Sequence, residues 1–186
     1  MNIVCNHLGR IEGVRLVLRL VEPSDAQFIH GLRTDPAYNT HLSPVTGTVE
    51  DQRAWIDAYK AREEAGEEFY YVIERRDHRP CGVVRLYGIT EDNFTWGSWL
   101  LNSDKPPKAA LESALLIYEI GFGILNKSCA VFDVRADNER VLRFHHRFGA
   151  VETGRDAENL YFELTHARFV ALRAALRDNL EGEVSS

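Results

Sequence analysis

The residues best suited to chemistry follow one short segment in the second half of the chain. Residues 130–135 are rich in β-branched and aromatic side chains and predict a strand. Asn138 stands where the next helix begins, so its amide can cap that helix or reach a ligand. His145 lies seven residues further on, about two helical turns along nearly the same face. Because histidine can donate or accept a proton near neutral pH, the segment combines a group that can bind a ligand with a group that can carry a proton.

The helix that carries this histidine resembles part of a known family. Its apolar residues recur at helical spacing and should form the buried face: Val141, Leu142, Phe144 and Phe148. With the closing Gly149, the strand–Asn–helix–Gly unit resembles the C-terminal half of the GNAT N-acetyltransferase fold. The match is good at Asn138 and Gly149. It departs at His145 and Ala150, where the family pattern has tyrosine and phenylalanine.

The other predicted elements follow in the order of the same family. Strands are predicted over residues 14–21, 68–75, 81–89, 94–101, 130–135, 151–154 and 159–164. Helices are predicted over residues 26–33, 49–64, 111–125 and 139–148, the second beginning at a capping box of Thr48 and Asp51. We therefore expect a single domain of α/β (α+β) class with a GNAT core at about 14–164. Its mixed twisted sheet should have six to seven strands flanked by helices, with an added C-terminal helix at about 166–179 and a disordered tail at 181–186.

Two of these strands should position the ligand. We expect strands 94–101 and 130–135 to be parallel neighbours that separate at their C-terminal ends. In open α/β sheets, ligands bind at the carboxyl ends of the strands. The gap would then form a V-shaped cleft for the pantetheine arm of a coenzyme.

The composition argues against several classes of partner. The 186 residues include 28 acidic and 22 basic side chains, and the net charge of −6 disfavours a nucleic-acid binder. The three cysteines show no CxxC spacing, so neither a disulfide framework nor a metal site is indicated. No apolar run approaches a membrane span, and the N-terminus lacks the pattern of a signal peptide. We expect a cytoplasmic protein with no metal, no nucleic-acid partner and no membrane partner.

The resemblance implies acetyl-CoA as co-substrate, bound by its pyrophosphate at the loop 102–110 before the long helix. Lys105 matches the basic position of the family, but Lys108 stands where glycine is expected, and Pro106 and Pro107 each remove an N–H donor. A modified but working loop and a scaffold with an altered cofactor site both remain open. The residues that the resemblance assigns to the cofactor are Leu100, Leu101, Lys105, Lys108, Ala109, Ala110 and Asn138.

Acetyl transfer needs a neutral amine, a polarised thioester carbonyl and a proton for the thiolate. The thiol-protonating tyrosine of the family falls on His145, our candidate catalytic residue, although a histidine on the helix surface is the alternative. The acidic residue of many relatives falls at Thr95, which cannot act as a base. Glu91 and Asp92 could act through water, and His41 is a further candidate base. The alternative is that no side chain acts as base and that the amine arrives neutral through its own equilibrium.

The implied activity is transfer of an acetyl group from acetyl-CoA to a primary amine. Part of the chain resembles the subgroup of ribosomal-protein and amino-sugar-nucleotide N-acetyltransferases, and we favour a small-molecule amine or an amino-sugar nucleotide as acceptor. An N-acetyltransferase for protein N-termini and a non-catalytic GNAT-fold binding module are the alternatives, and a homodimer is left open. The predicted acceptor contacts are Arg33, His41, Tyr87 and Trp96. A phosphate on the acceptor would need a local basic site from Arg33, Arg53 or Arg85.

Overall fold

The computed structural model describes residues 8–182, which contain one eight-stranded sheet in the order β1-β2-β3-β4-β5-β6-β8-β7. The strands are β1 (Arg10–Glu12), β2 (Leu16–Leu20), β3 (Phe69–Arg75), β4 (Pro80–Tyr87), β5 (Asn93–Leu101), β6 (Cys129–Arg135), β7 (Val151–Arg155) and β8 (Asn159–Thr165). The helices are α1 (Ala26–Thr34), α2 (Val49–Glu64), α3 (Ala109–Tyr118), α4 (Glu139–Phe148) and α5 (His166–Glu181). No helix in this part of the chain is long and apolar enough to cross a membrane.

The predicted fold class is confirmed, with differences at both ends of the described chain. The sheet has eight strands because β1, an edge strand of three residues, is too short for its pattern to be recognised in the sequence. The C-terminal helix continues to Glu181, so the first residue of the predicted tail is helical. The rest of that predicted tail, from residue 183, lies outside the described residues, as does Cys5.

Helices cover both faces of the sheet, and each face has its own core. On β3, Tyr71 and Ile73 pack in the core that includes α3, α4 and α5, whereas Tyr70 and Val72 pack in the core that includes α1 and α2. Successive side chains of a strand point to opposite faces, which explains this division. The central strand is therefore apolar on both sides, as expected for a sheet covered twice.

The separation of β5 and β6 is confirmed. These parallel strands pair only at Asn93 with Cys129 and at Phe94 with Ala130, close to their N-terminal ends. A bulge in β5 adds to the separation, because the pairing with β4 shifts register around Ser98, which has a φ of 47°. A bulge bends a strand and increases its twist. The C-terminal half of β5 is thereby left without backbone partners from β6.

The predicted helix 111–125 is two segments in the structure. The α-helical turns of α3 end at Tyr118, and a π-helical segment follows over Glu119–Ile124. At this widening, Gly121 faces the buried ring of Phe94, which any Cβ atom at that position would overlap.

Candidate active site

A cleft of about 1030 Å³ opens where β5 and β6 separate. The start of α3, helix α4 and the connection between α1 and α2 complete its walls. Ten of the twelve predicted site residues line it: Arg33, His41, Tyr87, Trp96, Leu100, Leu101, Lys105, Ala110, Asn138 and His145. The other two, Lys108 and Ala109, do not.

The start of α3 leaves backbone donors unpaired beside the cleft. The helix has no side-chain cap, and the N–H groups of Ala110 and Leu111 donate no hydrogen bond within residues 8–182. Unpaired N–H groups and the helix dipole together favour an anion at such a position. Ala109, by contrast, is 2% exposed and packs in the core, so its predicted contact with a ligand is not supported.

The two lysines of this loop point in different directions. Lys105 lines the cleft, with its ammonium 3.5 Å from the carbonyl oxygen of Asn102. Lys108 instead donates a hydrogen bond to the carbonyl of Asn179 at the far end of α5. Its backbone has a φ of 60°, a left-handed conformation that favours glycine and gives a physical reason for the glycine of the family pattern. The predicted ligand contact of the Lys108 side chain is therefore not supported.

His145 lies deep in the wall formed by α4. Its side chain is 3% exposed, and its ring centroid lies 4.5 Å from that of Phe132 and 5.4 Å from that of Trp96. Nδ1 is buried without a hydrogen-bond partner. Burial, helped by the neighbouring His146, lowers the pKa of His145 to about 3. The ring is consequently neutral at physiological pH.

The opposite wall brings together polar side chains from α1, β4 and β6. Arg33, in the last turn of α1, lines the cleft and has a buried Nε without a hydrogen-bond partner. Asp133 and Arg135 of β6 also line it, and neither is predicted from the sequence. Their alternation with the buried Phe132 and Val134 turns them to the other face of the sheet, and this periodicity is the signal that could have found them.

The cleft is cationic although the chain is acidic. Four cationic side chains and a single carboxylate line it: Arg33, Lys105, Arg135, Arg140 and Asp133. Arg135 forms an ion pair with Glu158 at 3.3 Å, whereas Arg33 and Arg140 form none within the described chain. The other two arginines considered for a phosphate site do not contribute, because Arg85 pairs with Glu68 and Arg53 is exposed on α2, away from the cleft.

Comparison with known proteins decides the family. Residues 15–151 match the family model described as an acetyltransferase (GNAT) domain. This chain belongs to the GNAT acetyltransferase family. A solved structure described as apo FdhC, a nucleotide-linked sugar GNAT, is similar to it, with 42% identity and a TM-score of 0.82 over 88% of this chain and 93% of that one.

Two further solved structures share the GNAT fold at lower identity. A chimera of the spermidine N-acetyltransferase SpeG from Vibrio cholerae with hSSAT is 19% identical, covering 84% of this chain and 99% of that one, with a TM-score of 0.73. The ribosomal-protein-S5-alanine acetyltransferase from Vibrio fischeri is 16% identical, covering 84% and 96%, with a TM-score of 0.72. Comparison with curated proteins finds no match.

The residue that the resemblance places at the GNAT tyrosine position is a neutral histidine. A general acid at this position would have to be an imidazolium, and with a pKa of about 3 only about one His145 ring in ten thousand is protonated at pH 7. The predicted role of His145 as an acid is therefore not supported. The alternative, a histidine on the helix surface, is wrong because the ring is buried among aromatic side chains.

Trp96 does not offer the open ring face that a sugar would need. It is 4% exposed, because its ring packs against Trp99, Tyr118 and His145. Only a small part of its surface therefore borders the cleft. Its position in β5 turns it toward α3 and α4 rather than toward α1 and α2. Tyr87, which lines the opposite wall, remains the aromatic candidate on the acceptor side.

The three candidate general bases of this GNAT protein do not all lie at the cleft. Glu91 and Asp92 precede β5, at the end where it still pairs with β6, and neither lines the cleft. His41 does line the cleft, and its Nδ1 lies 3.3 Å from Oδ1 of Asp137. Residues 8–182 contain no cluster of three His, Cys, Asp or Glu side chains that could hold a metal ion.

Proposed function

We propose that this GNAT protein transfers an acetyl group from acetyl-CoA to the primary amine of a nucleotide-linked amino sugar. The observation that carries the acceptor assignment is Arg33, a cleft-lining arginine without an ion-pair partner in the described chain and with a buried, unpaired Nε. The similarity to a nucleotide-linked sugar GNAT at 42% identity supports the same acceptor class.

Features of the wall formed by β5 and the starts of α3 and α4 support coenzyme A as the acyl carrier. The C-terminal half of β5 has backbone groups without partners from β6, to which the amides of an extended pantetheine arm can add as a strand. The N–H groups at the start of α3 and the ammonium of Lys105 suit its pyrophosphate. Asn138 caps α4 through Oδ1, 3.3 Å from the Val141 nitrogen, which leaves its amide nitrogen for a ligand. When bound, acetyl-CoA supplies the reactive thioester.

The charge of the cleft discriminates between acceptors. Lys105 and the start of α3 account for the anionic groups of coenzyme A, but Arg33 lies on the other wall, has no ion-pair partner in the described chain and needs an anion of its own. A diphosphate linked to the sugar provides one, since arginine binds phosphate in paired, charge-assisted hydrogen bonds. A polyamine would meet the same side chains as a repelled cation. Asp133 is the carboxylate available to hold the ammonium of the amino sugar.

His145 supports this chemistry in its neutral form. Neither ring nitrogen makes a hydrogen bond within the described chain, so the protonated nitrogen can donate to the sulfur as negative charge develops there. The aromatic rings around it keep water away, and a hydrogen bond in such surroundings is stronger than one in water. The role is stabilisation of the thiolate rather than its protonation.

An acceptor panel tests the proposed function. Thiol release from acetyl-CoA is measured with nucleoside-diphosphate-linked amino sugars, the free amino sugars, spermidine and a peptide with an N-terminal alanine. We expect the nucleotide-linked acceptors to have the highest kcat/KM, by about tenfold or more over the free sugars, because only they engage the arginines. Preference for spermidine or for the peptide would contradict the assignment, and the peptide would favour the alternative of a protein N-terminal acetyltransferase.

Substitution of Arg33 should act on the acceptor and not on the cofactor. We expect Arg33→Gln to raise KM for the nucleotide-linked acceptor by about 10- to 100-fold, with KM for acetyl-CoA unchanged, because a charge-assisted contact to phosphate is lost. The matched control is Arg53→Gln, an exposed arginine outside the cleft. An equal effect of Arg33→Gln on the free amino sugar would show that the side chain does not bind the nucleotide part.

Substitution of the loop lysines should separate their contributions to the cofactor. We expect Lys105→Ala to weaken acetyl-CoA binding by about tenfold, measured by calorimetry, because one charge-assisted contact is removed. Lys108→Gly is the control: it suits the left-handed backbone, and its ammonium already binds Asn179. Unchanged affinity in Lys105→Ala would contradict this cofactor site. Failure of the parent protein to bind acetyl-CoA even at millimolar concentration would favour the non-catalytic module.

A further inference from the structure

The connection between α1 and α2 bridges the two separated strands. We call residues 35–48 the strap. On one side of the cleft, the hydroxyl of Tyr38 accepts a hydrogen bond from the backbone N–H of Ser103, in the loop after β5, at 3.2 Å. On the other side, His41 meets Asp137, in the turn after β6. The strap is thus attached to the segments that follow both strands, and these attachments place His41 at the gap between them.

The two ring nitrogens of His41 have different surroundings. Nδ1 lies 3.3 Å from Oδ1 of Asp137, which does not line the cleft, whereas His41 itself does. Within residues 8–182 the ring makes no other polar contact, so Nε2 has no partner there. A carboxylate facing Nδ1 favours the tautomer with the proton on Nδ1, and this leaves the lone pair on Nε2. The side chain is 32% exposed, so a ligand in the cleft can reach it.

The proposed reaction needs a group that can accept a proton from the acceptor amine, on the wall that Arg33 lines. Amino sugars are largely protonated near neutral pH, and an ammonium must lose a proton before its nitrogen can attack. Thr95 has no basic group, and His145 lies in the other wall with a pKa of about 3. Asp133 is the remaining carboxylate that lines the cleft, and the proposed function already assigns it as the counter-ion of the ammonium.

We propose that His41, oriented by Asp137, is the general base that deprotonates the acceptor ammonium. The proposal rests on the proposed function. Nε2 takes one ammonium proton, and the freed nitrogen lone pair forms the bond to the thioester carbonyl carbon. The carbon–sulfur bond breaks, its electron pair leaves on the thiolate, and the second nitrogen proton goes through solvent to that sulfur. His41 returns its own proton to solvent. Asp137 is a positioning residue, since it acts through the ring.

Several charged groups share this half of the cleft and bear on its pH dependence. They are Arg33 on α1, Asp133 and Arg135 on β6, Asp137 in the following turn and Arg140 on α4. The free acceptor amine also ionises and contributes to kcat/KM in every variant, so the ionisation that tests this role is one that the parent protein shows and His41→Ala lacks.

The test is the pH dependence of kcat/KM for the most active nucleotide-linked acceptor, from pH 5 to 9. His41→Ala should lower kcat/KM by about 100-fold at pH 7 and remove the ionisation, with acetyl-CoA affinity unchanged. Added imidazole should restore part of the activity of this variant. Asp137→Asn should lower kcat by about tenfold and keep the ionisation. His146→Gln is the control, because His146 is exposed and lies outside the cleft.

The outcomes separate this role from the function on which it rests. Near-parental activity of His41→Ala with the ionisation retained overturns the role and leaves the proposed function standing. If the ionisation is lost in Asp133→Asn instead, the base is Asp133, and the proposed role of His41 is overturned as well. Absence of transfer by the parent protein to every acceptor of the panel overturns the proposed function, and the role of His41 with it. Loss of acetyl-CoA binding together with activity in both His41→Ala and Asp137→Asn would show that His41 has only a structural role.

Discussion

The His145→Phe variant should be much less sensitive to acid than the parent protein. In the folded state the pKa of His145 is about 3, whereas an unfolded histidine has a pKa of about 6.5. Below about pH 6.5 the unfolded chain therefore binds a proton that the folded protein does not, and stability falls as the pH is lowered toward 3. Between pH 7 and pH 4 this single group should remove about 3 kcal/mol from the free energy of unfolding.

Urea unfolding at the two pH values measures this difference. Phenylalanine keeps an aromatic ring beside Phe132 and Trp96 but cannot bind a proton. The His145→Phe variant should therefore not show this part of the loss in unfolding free energy at low pH. His146→Phe, at an exposed position, is the control and should keep it. The His145→Phe variant should also lower kcat by about tenfold or more, because the hydrogen bond to the leaving sulfur is lost. Equal acid sensitivity of the parent and His145→Phe would show that His145 is not held neutral.

The Gly82→Ala variant should lose about 3 kcal/mol of stability and bind acetyl-CoA more weakly. A Cβ atom at this position in β4 would overlap the backbone oxygen of Leu100 and come within 2.9 Å of Cδ2 of Leu101. A backbone oxygen cannot rotate away as the end of a side chain can, so β5 would have to shift. The shift would occur at the end of β5 that lines the cleft.

Thermal unfolding measures the stability, for which we expect a decrease in Tm of roughly 6–12 °C. Gly154→Ala is the matched control, since it is also a strand glycine but has no atom within 4 Å of the added Cβ. If both variants unfold like the parent protein, the close approach of Gly82 to β5 does not exist. If only stability falls and acetyl-CoA affinity is unchanged, the end of β5 does not contact the cofactor.

Local signals in the sequence predicted the elements well where those signals are complete. Helix α2 has the predicted bounds because both partners of the capping box are present: the Thr48 hydroxyl accepts from the Asp51 N–H at 3.2 Å, and Asp51 accepts from the Thr48 N–H at 2.7 Å. The separation of β5 and β6 followed from the family resemblance. Gly97 is a local signal for the bulge, since a glycine inside a strand favours a bulge or a close backbone approach. The positive φ of Ser98 has no such signal, because the residue is not glycine.

The electrostatics of the site depends on residues that are distant in the sequence, and this part could not be predicted. The burial of His145 results from Phe132 and Trp96, which other elements supply. The partner of His41 is Asp137, which lies in the turn after β6 and is distant in the sequence. The sequence therefore predicted which residue types enter the site, while their protonation and pairing emerge only from the packing.

The fate of the acetyl carbon tests the central claim most directly. The parent protein is incubated with acetyl-CoA that carries an isotopic label on the carbonyl carbon, together with a nucleotide-linked amino sugar, and the label is followed by NMR. We expect the signal to move from the thioester to an amide on the sugar nitrogen, at a rate that depends on protein concentration. A label that stays on the thioester, or that appears only as free acetate, would contradict acyl transfer to this acceptor.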